Sequence, residues 1–247
     1  MKRFHLRTRN LALLLLIFSL LIYVADYLLF GRAGDIVSSL MGNLAFLPIY
    51  VLFVTLMIEK ILKERERVAL LRKLNMVIGV FFSEVGTALL GDYSVFLQNH
   101  GDLAAQLRVD GSWSPSDFRK TMAFFKKTEL NVDCTKGDLA ALKAFLLGKR
   151  AFLLRLLENQ SLLEHDEFTD LLWAVFHLTE ELDARHQLVN LPQSDLEHLV
   201  GDIRRVFASL TREWLRYMEH LMGDYPYLFS LAVRTNPMNP AARVEVG

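Results

Sequence analysis

The chain has 247 residues, with 28 Lys plus Arg balanced by 28 Asp plus Glu and a mean hydropathy of +0.25. The balance leaves no net field to attract nucleic acid, and the single cysteine, Cys134, excludes an internal disulfide framework and fits a reducing compartment. With 52% hydrophobic and 23% charged residues, the composition is that of an apolar membrane segment joined to a water-soluble body.

Two apolar runs, residues 11–30 and 40–58, are separated by nine residues. As helices each would rise roughly 28–30 Å, the thickness of a bilayer's hydrocarbon core, so the pattern predicts a transmembrane hairpin. Lys2, Arg3, Arg7 and Arg9 precede the first run, which exceeds the core of a cleavable leader and lacks a small-residue cleavage motif, so a retained signal anchor is expected. Lys60, Lys63, Arg65, Arg67, Arg72 and Lys73 follow the second run, whereas the connection has only Arg32. This charge distribution predicts that both termini are cytoplasmic.

Within the spans, Asp26 sits between Tyr23 and Tyr27 near the outer end of the first helix, where headgroups can solvate it and the tyrosines can anchor. Pro48 should kink the second span, and Gly42 and Asn43 precede it. Asp26, Asn43 and Pro48 are the residues that a pore or gate would use.

Residues 59–73 are charged helix formers without Gly or Pro, which predicts that the second span continues as a helical stalk. Residues 74–90 turn apolar again with Glu84 as their only charge; a third crossing would upset the charge asymmetry, so a buried or bilayer-surface helix is expected. Ser114-Pro115 opens a helix over 115–127 with Phe118, Met122 and Phe125 on one stripe. Its flanking cations, Arg119, Lys120, Lys126 and Lys127, form either a solvated rim or a contact with anionic headgroups.

Thr135 and Asp138 read as a capping pair for a helix over about 137–159. Cys134, just before it, reads as a small structural residue, although a helix N-terminus is also where a thiol pKa falls. On the next helix, about 162–185, Asp170, His177 and Glu181 lie within about 40° of one another at 100° per residue. They are the metal candidates. The bundle di-metal pattern needs Glu-x-x-His, which is absent from the chain, so a solvated face with an i,i+4 His177–Glu181 pair is the leading reading and no cofactor is expected.

Ser194 to Glu197 reads as a capping box for a helix running to about residue 222. Val200, Ile203, Phe207, Leu210, Trp214, Tyr217 and Leu221 repeat at alternating spacings of 3 and 4, the seam of a packed helix. His198 and His220 lie off that seam and are read as surface residues. After Gly223 a short helix stopped by Pro237 carries Tyr225, Tyr227 and Phe229, which serve either as a docking segment or as a flap of the same bundle.

Residues 73–86, KLNMVIGVFFSEVG, and 225–237, YPYLFSLAVRTNP, resemble segments of uncharacterised bacterial two-span membrane proteins with a helical cytoplasmic domain. That resemblance implies a hairpin and body that belong together, and implies no activity or site. The sequence contains no Gly-x-x-x-x-Gly-Lys, Gly-x-Gly-x-x-Gly, His-Glu-x-x-His, Cys-x-x-Cys or Gly-x-Ser-x-Gly. No catalytic residue is assigned.

The expected fold is all-α: a two-helix transmembrane hairpin with the start of the stalk (1–66), the stalk and juxtamembrane helix (67–99), and a cytoplasmic helical bundle (100–247). The expected function is a non-enzymatic, oligomeric scaffold or signal-coupling module in the cytoplasmic (inner) membrane; an ion-channel subunit and a bundle metalloprotein are the alternatives. Expected partners are the bilayer, further copies of the chain, or another membrane or cytoplasmic protein, with no nucleic acid.

Overall fold

A computed structural model describes residues 2–30, 35–159, 162 and 165–245. The side chains of Lys2, Arg3, Arg7, Arg9, Tyr23 and Asp26, together with Arg32, lie outside the described residues. Among the described residues the protein is all-α, with helices α1 (Lys2–Phe30), α2 (Asp35–Phe81), α3 (Thr87–Val95), α4 (His100–Gln106), α5 (Pro115–Lys127), α6 (Leu139–Leu157), α7 (Asp166–Ala184), α8 (Gln193–Asp224) and α9 (Pro226–Arg234). No strand forms among them; Leu97 and Val132 make one isolated antiparallel bridge.

The chain divides into two compact units, Met1–Ala69 and Leu70–Gly247. In unit 1, Leu13, Leu14, Leu20, Leu21 and Leu28 of α1 and Leu40, Phe46, Leu47, Tyr50 and Phe53 of α2 are all more than half exposed. Among the described residues of unit 1 the buried positions are small or compact: Ser19, Ala45 and Pro48. The Ser19 hydroxyl donates to the Ala45 carbonyl, joining α1 to α2. Pro48 lies inside α2, and the helix continues through it.

Unit 2 is a helical bundle built around α8. Helix α6 packs on α7, α7 on α8, and α3, α5 and α9 also pack on α8. The predicted seam is real: Ile203, Phe207, Leu210, Trp214 and Leu221 are buried, while Val200 and Tyr217 pack partly buried against the same core. The apolar residues after the stalk enter this core. Leu74, Ile78 and Phe81 of α2 are buried, and a π-helical turn, Phe82–Gly86, then links α2 to α3.

That turn has a packing consequence. Inserting an extra residue per turn rotates the side chains that follow, and at the start of the turn the neighbours Phe81 and Phe82 both face inward. Phe81 meets Phe168 edge to face at 5.3 Å, and Phe82 stacks on Tyr217 at 5.1 Å. Gly86 closes the turn because a Cβ there would collide with the Phe82 and Phe81 rings.

Several local expectations are corrected. The N-cap of α6 is Asp138 alone, accepting from the Ala140 and Ala141 amides at 2.9 Å each. Thr135 instead bonds Asp133. No side-chain box caps α8: Pro192 occupies the N-cap position, so Ser194 is already inside the helix, and Glu197 accepts from Gln193 at 3.0 Å. For α5 the expected bounds hold, with Asp117 accepting from the Ser114 amide at 3.0 Å.

Candidate metal centre

Helices α7 and α8 meet through a deep apolar layer: Phe168, Leu171, Leu172, Val175, Leu178 and Leu182 against Leu199, Ile203, Val206 and Phe207, all buried. Packing that layer fixes the rotation of both helices. Two i,i+4 pairs at its edge are thereby brought together, His177 and Glu181 on α7 with His198 and Asp202 on α8. His177, His198 and Asp202 each offer a ligand atom within 4.8 Å of the others.

The geometry is specific. His177 Nε2 lies 3.6 Å from Asp202 Oδ2 and 3.8 Å from Glu181 Oε1. His198 Nε2 lies 3.3 Å from Asp202 Oδ2 and 3.5 Å from Glu181 Oε2. The imidazoles are about half exposed, whereas Asp202 is only 3% exposed. Asp202 Oδ1 is 3.2 Å from Arg205, but Oδ2 has no hydrogen-bond partner. Among the described residues it is the only carboxylate oxygen buried in that condition; the others are on Tyr93, Asn99 and Thr211.

Arg185, at the C-terminal end of α7, frames the cluster. It donates to Asp195 at 3.0 and 2.5 Å and to Glu181 Oε2 at 2.7 Å, tying the end of α7 to the first turn of α8. Its hydrogen bond to Glu181 holds that carboxyl below the usual range, and the Asp195 carboxyl is lowered by the same guanidinium. The cluster therefore comprises two imidazole nitrogens and two carboxylates, one of them fixed in its ionised form.

The sequence-selected residues scatter. His177 belongs to the group of three ligand atoms; Glu181 borders that group through both imidazoles, and Asp170 is exposed on α7 and does not join it. His198, read as a surface residue on the helix flank, is a full member, and Asp202 was not selected at all. The signal available was the pairing of His177-x-x-x-Glu181 with His198-x-x-x-Asp202. His220 is paired with Asp224 at 2.8 Å and lies 3.3 Å from Asn75.

Elsewhere, Cys134 is buried and its thiol is pushed up to about 11 by burial and by Asp133, opposite to the shift of an activated nucleophile. Arg119, Lys120, Lys126 and Lys127 are exposed on α5. Tyr225 and Tyr227 are exposed, but Phe229 is a core residue at 7% exposure, so it is not available for docking. Asn43 is exposed and Pro48 buried in unit 1, while the Asp26 side chain is outside the described residues. A second buried acid, Glu213, is raised to about 7 by burial; it accepts from Arg216 at 2.8 Å.

Two family models match the chain: "MJ1433, N-terminal helical domain" over residues 2–62 and "Uncharacterized protein MJ1433, C-terminal helical domain" over residues 70–234. Uncharacterized protein MJ1433 of Methanocaldococcus jannaschii is 45% identical over 230 residues, covering 93% of this chain and 92% of its own length. No solved structure matches. The chain belongs to the MJ1433 family, a family with helical N- and C-terminal domains. The matched relative is archaeal, which corrects the bacterial setting implied by the resemblance.

Proposed function

We propose that this member of the MJ1433 family is a two-span protein of the cytoplasmic membrane. Both termini are cytoplasmic, and unit 2 acts there as a non-enzymatic scaffold or signal-coupling module within a homo-oligomer. The inverted packing of unit 1 carries this reading. A water-soluble helix pair would turn its leucines inward, since each large apolar side chain left in water forgoes about 1.5–3 kcal/mol. Here the leucines and phenylalanines face out and the contact is made by Ser19 and Ala45. Close approach through small residues, with a hydroxyl satisfied by a carbonyl of the neighbouring helix, is how helices associate in lipid.

Asn43 supports the oligomer. Its amide is exposed on an apolar face, beside Gly42, where a Cβ would meet nothing within 4 Å. In hydrocarbon such a group needs a partner, and a second copy of α2 offers the same amide in return. The test is alkaline carbonate extraction of membranes followed by crosslinking in situ. The reading expects the protein to stay in the membrane pellet and to crosslink as a homo-oligomer that Asn43→Leu weakens. Release into the alkaline supernatant would defeat it.

A further inference from the structure

We propose that His177, His198 and Asp202, with Glu181 as the fourth ligand, bind one divalent transition-metal ion of the Zn2+ class and so staple α7 to α8. The inference concerns unit 2 alone and stands or falls independently of whether unit 1 crosses a bilayer.

The first support is geometric. Zn2+ takes imidazole nitrogen at about 2.0–2.1 Å and carboxylate oxygen at about 2.0–2.2 Å in a tetrahedron, whose edges are then about 3.3–3.6 Å. Asp202 Oδ2 lies 3.3 Å from His198 Nε2 and 3.6 Å from His177 Nε2, two edges that share one oxygen, while Glu181 turns Oε2 to His198 at 3.5 Å and Oε1 to His177 at 3.8 Å, one oxygen to each imidazole. They are too long for good imidazole-to-carboxylate hydrogen bonds, which lie at about 2.7–3.2 Å, yet suit atoms arranged around a common centre.

The second support is Asp202 itself. A carboxylate 3% exposed, with one oxygen left without a hydrogen bond between two imidazole Nε2 atoms, is a costly arrangement unless a cation completes it. Two nitrogen and two oxygen donors select a borderline ion over Ca2+ or Mg2+, which prefer all-oxygen sets. Each helix contributes a His-x-x-x-carboxylate pair, so the ion crosslinks α7 and α8 across the connection at 185–192. Arg185 shares Glu181 with the ion and holds it in place through Asp195. The half-exposed imidazoles give the ion an entry path from solvent.

The test uses the full chain in detergent, stripped with chelator and titrated with ZnCl2 against a chromophoric competitor near pH 7.5. One Zn2+ per chain is expected, with His198→Ala and Asp202→Asn each weakening binding by about 100-fold or more and Asp170→Ala leaving it unchanged. Co2+ in the same site should show the intense visible absorption of tetrahedral coordination. Zn2+ should also slow proteolysis within residues 185–192 in the wild type and not in His198→Ala. Because His198 is half exposed, its alanine variant should retain wild-type far-UV circular dichroism, which keeps the result interpretable if Asp202→Asn fails to fold. Absence of Zn2+ binding in the low micromolar range, or wild-type affinity in His198→Ala, would overturn the proposal and leave the cluster as histidine–carboxylate contacts.

Discussion

Glu213 on α8 offers a quantitative check on the bundle. Its side chain is 2% exposed, and burial raises its carboxyl from an ordinary 4.5 to about 7. Between those values the folded protein binds more protons at this site than the unfolded chain, so stability falls as pH rises through that window and stays low above it. At about 1.4 kcal/mol per unit of pKa the full penalty is about 3 kcal/mol at most. That value already includes the lowering by Arg212, and with Arg216 2.8 Å from Oε1 the expected penalty is about 1–3 kcal/mol. Glu213→Gln removes the charge at nearly the same volume. It should therefore match the wild type near pH 4 and exceed it near pH 8 by about 1–3 kcal/mol, or roughly 2–10 °C in melting temperature for a unit of this size. Thermal unfolding of the detergent-solubilised protein followed by far-UV circular dichroism measures both. A variant less stable than wild type near pH 8 would refute the reasoning, since Glu213 would then be a stabilising ion-pair partner whose charge is needed.

Other substitutions probe single contacts. Phe81→Ala removes a fully buried ring that meets Phe82 and Phe168 edge to face, and should lower stability by about 3–5 kcal/mol in denaturant titration. Gly137→Ala would drive a methyl group into the buried Phe96 ring and should cost about 1–3 kcal/mol, whereas Gly111→Ala, with open space around it, should be near neutral by comparison. Asp138→Ala leaves two amides of α6 uncapped and should cost about 1 kcal/mol by the same titration.

Much of the bundle was legible because its signals are local. The 3,4 spacing on α8 predicted the buried face from Ile203 to Leu221, and Ser114-Pro115 with Asp117 set the start of α5. What was not legible has separate causes. The box at Ser194–Glu197 does not form because α8 starts earlier, with Pro192 at the N-cap, which puts Ser194 inside the helix and leaves Glu197 to accept from Gln193. Asp170, His177 and Glu181 do share a stripe on one helix, but the surface that completes the site is supplied by α8, so the spacing on α7 alone selected Asp170 in place of His198 and Asp202. The π-turn was hidden because residues 74–90 are apolar almost throughout, so no polar position marks where the helical repeat changes.

The central claim, a hairpin that crosses the membrane twice with the bundle on the cytoplasmic side, is tested most directly by cysteine accessibility in intact cells. In a Cys134→Ser background, Ala33→Cys in the connection between the spans should react with a membrane-impermeant maleimide added outside. Gly111→Cys in unit 2, whose position is exposed, should react only after permeabilisation. Labelling of Gly111→Cys in intact cells, or protection of Ala33→Cys until the membrane is opened, would contradict the account.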